Sequence, residues 1–190
     1  MVSARKLGNA TAKDLEHRPD DRVEIIDGVI VEKEGSGEHS AAQSALVTQV
    51  FGSYHRRPGS GGPGGWWILT EVPTEYEPNQ LFRHDIAGWR RERVPTRPTG
   101  FPIRLRPDWV CEVLSPTNRS NDTIKKFRVL HANGVPHYWL LDVEEGALTV
   151  YRHQPEGYLT ILAVQGAQPF RAEPFGELEL TIPALLGEDV

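Results

Sequence analysis

The stretch Pro107-Asp108-Trp109-Val110-Cys111-Glu112-Val113-Leu114-Ser115 constrains the chain more than any other segment. Its apolar residues fall on both faces of an extended strand, the pattern of a central strand covered by helices. Pro116 ends it. Side chains two apart share a face, so Asp108, Val110, Glu112 and Leu114 point one way and Trp109, Cys111 and Val113 the other. Glu112 is therefore an acid inside a core strand. Burying an unpaired carboxylate is costly or forces its protonation. Glu112 thus requires a cation, a metal ion or structural hydrogen bonds. It sits near the C-terminal end of its strand, where α/β sheets commonly place ligands and chemistry.

The elements around this strand can be read in order. Val23 to Ile26 and Val29 to Glu32 flank Asp27-Gly28, a type I′ hairpin signal. Gly35-Ser36-Gly37 breaks the chain, Glu38-His39-Ser40 follows, and apolar spacing predicts a helix from Ser40 to His55. The glycine-rich Gly59 to Gly65 lacks the Lys-Ser/Thr ending of a nucleotide loop and reads as a flexible connection. Strands are expected at Trp66 to Val72 and Arg83 to Trp89, then a proline-rich loop from Arg90 to Pro102. After Pro116, Asn121 or Asp122 caps a helix that runs to Asn133 and closes at Gly134. Strands follow at His137 to Asp142, Leu148 to Arg152 and Tyr158 to Val164, with a short helix near Ile182-Pro183. Residues 1–20 are polar, with a short helix at Thr11 to His17 capped by Thr11 or Asp14. This order describes an α/β protein with a mixed central sheet flanked by helices, one domain over residues 21–190.

The single cysteine, Cys111, excludes an internal disulfide framework and a cysteine-rich zinc site, and its strand makes it buried filler. No apolar run approaches membrane-spanning length and the start of the chain lacks a signal-peptide stretch, so a cytoplasmic protein is expected. The net charge of −5 does not advertise nucleic-acid binding. Local fields decide phosphate contacts, however, and Arg83, Arg90, Arg91, Arg93, Arg97, Arg104 and Arg106 share their span with only Asp85 and Glu92. Arg90, Arg91 and Arg93 are the candidate DNA contacts, and Trp89 beside them could stack on a base. The other tryptophans read as core.

Asp85 is a second acid in a strand next to the core. Carboxylates of Asp85 and Glu112 on neighbouring strands would make an oxygen site for Mg²⁺, with Mn²⁺ as an alternative, and such an ion can activate water at a phosphodiester. Lys126 lies on the helix after the Glu112 strand, which folds back over the sheet. Its ammonium could reach the metal and phosphate. Lys125 is the adjacent alternative.

Glu112-Val113-Leu114-Ser115-Pro116-Thr117, then Arg119, Asp122 and Lys126, then Gly134-Val135-Pro136 and Tyr138-Trp139-Leu140-Leu141-Asp142, resemble the Uma-two-type family of bacterial endonucleases. Glu24-Ile25-Ile26-Asp27-Gly28 and Glu38-His39-Ser40 fit the same pattern, so the resemblance covers most of residues 20–155. It implies a PD-(D/E)xK, restriction-endonuclease-like fold. In the standard motif a lysine stands two residues after the glutamate, where this chain has Leu114. The family resembles this chain in moving the lysine to the following helix, at Lys126. On that resemblance Asp85 is the first acid and Glu112 the second, and Glu24 and His39 line the site, the histidine as a proton carrier. Family members usually carry proline before the first acid, and this chain has His84 there. Asp108, which follows Pro107, is the rival first acid.

The expected function is a Mg²⁺-dependent endonuclease acting on DNA. Cutting both strands of a duplex takes two sites, which would call for a homodimer. The alternatives are a non-catalytic DNA- or protein-binding module on the same fold, or hydrolysis of RNA.

Overall fold

In the computed structural model, which describes residues 8–33, 35–116 and 119–188, Asp27 and Gly28 have φ of 53° and 73°. These are the two positive values that a type I′ turn needs. They join β1 (Val23–Ile26) to β2 (Val29–Glu32) in the expected register, Ile26 opposite Val29. Residues 1–7 of the polar segment and Thr117 of the motif after Glu112 lie outside the described residues.

Among the described residues, eight strands form one sheet. After β1 and β2 come β3 (Trp66–Glu77), β4 (Gln80–Arg90), β5 (Trp109–Leu114), β6 (His137–Asp142), β7 (Ala147–Gln154) and β8 (Gly157–Gln165). The order is β2-β1-β4-β5-β6-β7-β8, with β3 also pairing with β4. The β5–β6 pair is parallel and the other strand pairs are antiparallel. A parallel pair needs a crossover, and here it is a π-helical segment (Asn121–Lys126) running into α2 (Phe127–Ala132).

All six residues of β5 are buried, as its two apolar faces require. Trp109, Cys111 and Val113 join a core with Leu46 and Val50 of α1 (Gly37–Tyr54). Val110 and Leu114 join a second core with Leu130, Val135 and Tyr138 on the opposite side. Trp89 belongs to this second core. It is fully buried and its Nε1 donates to Leu105 O, so it cannot stack on a base.

Four elements differ from their expected form. Helix α1 starts at Gly37 rather than Ser40, because the Ser36 hydroxyl accepts from His39 N at 3.0 Å and caps it there. Strand β3 runs past Val72 to Glu77, and Pro73 is tolerated because it faces the edge away from β4, where only an isolated bridge to Ile103 forms and Pro73 O accepts from Ile103 N at 2.9 Å. Neither Asn121 nor Asp122 caps a helix; both lie inside the π-helical turn. In the polar N-terminal segment, Thr11 and Asp14 form a capping box on a short 3₁₀ turn, Ala12–Leu15. Ala12 and Leu15 bury against Ile25 and Leu81, so this segment packs on the domain. The short C-terminal helix is α3 (Ile182–Leu186), capped by Thr181.

The feature that positions the site is a fork along β4. Its start pairs with β1 at Leu81 and its end pairs with β5 from Ile86 to Gly88. Arg83, His84 and Asp85 lie between these two pairings. Backbone groups there still need partners, and side chains supply them.

A buried cluster of acids and lysines as the candidate active site

At the fork, Arg83 N donates to Glu24 Oε1 at 2.8 Å, and Lys33 Nζ donates to Arg83 O at 2.5 Å. Gln43 Nε2 donates to Asp85 O at 2.8 Å. On the β5 side, Val113 N donates to Asp85 Oδ2 at 2.8 Å. Asp85 and Glu24 are thus anchored by backbone amides of the strands they bridge, which fixes where the two carboxylates point.

The two carboxylates converge with Glu112, Asp85 through its other oxygen and Glu24 through the same Oε1. Lys33 Nζ lies 2.7 Å from Asp85 Oδ1 and 3.5 Å from Glu112 Oε2. Lys126 Nζ lies 2.7 Å from Glu24 Oε1, 3.3 Å from Glu112 Oε1 and 2.8 Å from Asp122 Oδ1. The π-helical turn brings Asp122 and Lys126 together over the sheet. Such turns recur at functional sites. His39 Nε2 is 3.0 Å from Asp85 Oδ1, and since an ionised carboxylate only accepts, Nε2 carries the proton. His39 Nδ1 is buried with no hydrogen-bond partner. His84 Nδ1 donates to Glu112 Oε1 at 2.6 Å, and Tyr76 OH donates to His84 Nε2 at 2.8 Å.

The whole cluster is shielded from water, with Glu112 fully buried and Asp85 and Lys126 1% exposed. Burial alone would raise the Glu112 pKa, but the Lys126 and Lys33 charges and the His84 hydrogen bond hold it well below the usual carboxylate range. Asp85 follows the same logic: burial pushes up, while Lys33 and His39 pull it below its ordinary value. Asp122 goes the other way. Burial pushes it up to about 7, Lys126 opposes, and the nearby Glu112 and Glu24 charges add to the rise. Lys126 is drawn down by burial but ends well above its ordinary value, because Asp122, Glu112 and Glu24 surround it.

The structure therefore brings together Asp85, Glu112, Lys126, Glu24 and His39. It adds Lys33, His84, Tyr76 and Asp122, which reading the sequence did not place in the site. Lys125 turns away and donates to Asn121 Oδ1. Asp108 stands apart from the cluster. It accepts from Arg90 N at 2.7 Å and from Arg93 Nε at 2.8 Å, and so anchors the loop after β4. Arg90, Arg91 and Arg93, the candidate nucleic-acid contacts, all make contacts that fasten that same loop. Arg90 lies over Trp66, Arg91 over Trp67 with its Nε on Trp66 O, and Arg93 is bound to Asp108 and Arg106 O.

Asp85 and Glu112 offer hard carboxylate oxygens, the donors Mg²⁺ prefers. A single cationic point, Lys33 Nζ, already contacts an oxygen of each. The donor chemistry thus fits a divalent ion held by these two acids. Among the described residues no group of three or more His, Cys, Asp or Glu side chains is arranged to hold a metal. A cavity of about 180 Å³ beside the cluster is lined by His39, Leu114, Ser115, Pro116 and Arg119 among others.

A mixed sheet flanked by helices, with two acids from adjacent strands and an amine from the crossover, defines a restriction-endonuclease-like fold. The chain belongs to the Uma2 family, described as "Putative restriction endonuclease", whose match spans residues 11–183. The structure is similar to a crystal structure described as "a putative nuclease belonging to DUF820" from Anabaena variabilis. The TM-score is 0.69 at 23% identity, over 93% of this chain and 97% of that one. No curated protein matches the chain. Among the described residues no helix is long and apolar enough to cross a membrane.

Proposed function

We propose that the chain is a Mg²⁺-dependent endonuclease that hydrolyses phosphodiester bonds in DNA, with Asp85 and Glu112 as metal ligands and Lys126 as the site lysine. The observation that carries this reading is the meeting of two ionised, buried acids with one cationic point between them. Family membership and the similar nuclease fold support it.

Each residue has a part that follows from its contacts. Val113 N and His39 orient Asp85, and Lys126 and His84 orient Glu112 while keeping it ionised. A bound Mg²⁺ would supply charge stabilisation at the phosphate and a more acidic water. His39 has a bare Nδ1, so it can accept a proton there while Nε2 stays on Asp85. Lys126 is the fixed positive charge beside Glu112 Oε1, positioned to offset negative charge that grows at the phosphate. Duplex cleavage by one site per chain calls for a homodimer.

The test is supercoiled plasmid with Mg²⁺, with Mn²⁺ and with a chelator, beside Glu112→Gln and a matched RNA substrate. The proposal predicts metal-dependent nicking or linearisation that Glu112→Gln lacks. Cleavage unchanged in that variant rules out the site, and preference for RNA rules out the substrate. One observation favours a second reading, a non-catalytic DNA- or protein-binding module. Both oxygens of Asp85 and of Glu112 already have internal partners. DNA binding without cleavage in either metal supports that reading.

A further inference from the structure

Lys33 has no part in the chemistry above, yet its ammonium occupies the centre of the acid pair. It donates to Arg83 O and Glu112 Oε2 and forms an ion pair with Asp85 Oδ1 at 2.7 Å, so three oxygens surround the ammonium group. We propose that Lys33 is a resident cation that holds the Asp85–Glu112 pair until a divalent ion replaces it, so that metal binding is an exchange. The inference rests on the metal reading above.

Three relationships support the exchange. The first is space. Mg²⁺ sits about 2.1 Å from its oxygen ligands, and Lys33 Nζ already lies 2.7 Å from Asp85 Oδ1 and contacts Glu112 as well. Two cations on the same pair of oxygens would repel each other at close range. The second is charge. Glu24, Asp85, Glu112 and Asp122 face two ammonium groups, so replacing a monovalent charge with a divalent one brings the cluster closer to balance. Burial of excess charge is what the cluster must otherwise bear.

The third is tethering. Lys126 enters from the crossover, 1% exposed, and besides Glu112 Oε1 it is held at shorter range by Glu24 and Asp122, which are not the proposed metal ligands. Lys33 directly follows β2, the terminal strand of the sheet, and is 8% exposed. Its side chain is 5% exposed against 1% for Lys126, so of the two it is the lysine nearer the sheet edge and the one that yields.

The experiment is a calorimetric Mn²⁺ titration of the full chain, with Lys33→Met and Glu112→Gln beside it. An internal competitor lowers apparent affinity by the fraction of sites it leaves open, so Lys33→Met should bind Mn²⁺ at least about ten-fold more tightly. Glu112→Gln should bind none. Equal or weaker binding by Lys33→Met, with wild type binding and Glu112→Gln silent, overturns the exchange and leaves the metal reading standing. No binding by wild type or by Lys33→Met removes the metal reading and the exchange with it. Should Lys33→Met fail to fold, ¹⁵N spectra of the lysine ammonium groups in the unaltered protein decide. The exchange predicts that the protected Lys33 signal is lost on adding Mg²⁺, and its persistence at saturating Mg²⁺ overturns the exchange.

Discussion

His84 Nδ1 donates to Glu112 Oε1 across 2.6 Å, so the residue before Asp85 is a direct partner of Glu112. The contact ties β4 to β5 where their ladder has not yet begun, since their pairing starts at Ile86. Tyr76 OH extends the chain to β3. His84→Ala leaves Glu112 and Tyr76 each short of a buried partner, at a cost of about 1–3 kcal/mol per group. Urea denaturation of His84→Ala, Tyr76→Phe and the double variant should show coupling between the two positions. Strictly additive losses would mean that the chain does not act as a unit.

Lys126 holds three carboxylates together, so removing its charge strands them in the core. Lys126→Met should lose about 3–5 kcal/mol, the range for breaking a buried pair from one side. Thermal and urea unfolding measure it. A loss below about 1 kcal/mol would place Lys126 in the class of exposed ion pairs.

Asp122 should make stability depend on pH. Its carboxyl titrates near 7 in the fold against an ordinary 3.8. Between these values the folded chain keeps a proton that the unfolded chain releases. Stability from this group is therefore greatest in acid and is lost as pH rises through about 7. Asp122→Asn removes this dependence. Relative to wild type, the variant should gain on the order of 2 kcal/mol between pH 5 and pH 8. A stability difference that stays flat across that window contradicts the assignment.

The fold was legible where local chemistry decides it. Asp27-Gly28 specified its turn, and the two apolar faces of residues 109–114 specified a central strand. Glu112 announced itself as an acid with nowhere to be solvated, and Glu24 and His39 came from the family pattern. The unread part of the site is non-local. Lys33 follows an edge strand, and no spacing marks it as the partner of acids far along the chain. Asp122 reads as a cap in sequence, because a cap and a side chain inside a π turn look alike until the backbone is known. His84 stood out only as a departure from proline, and its role emerges once β4 lies beside β5. The arginines of residues 90–106 showed the reverse problem. A run of positive charge reads as a phosphate-binding surface, yet Trp66, Trp67, Asp108 and backbone carbonyls engage several of them.

Asp108 and Asp85 were rivals in sequence and differ sharply in place. Asp108→Asn should weaken the loop through Arg93 and cost about 1–3 kcal/mol, while leaving Mg²⁺-dependent plasmid cleavage within a few-fold of wild type. Asp85→Asn should abolish cleavage. Equal loss of cleavage in the two variants contradicts the assignment of the first acid.

The most direct test of the central claim is crystallographic. Crystals soaked in Mn²⁺ should give an anomalous peak between Asp85 Oδ1 and Glu112 Oε2, at the place Lys33 Nζ takes without metal, with Lys33 turned outward. A peak elsewhere, or none while Lys33 stays on both acids at saturating Mn²⁺, would contradict it.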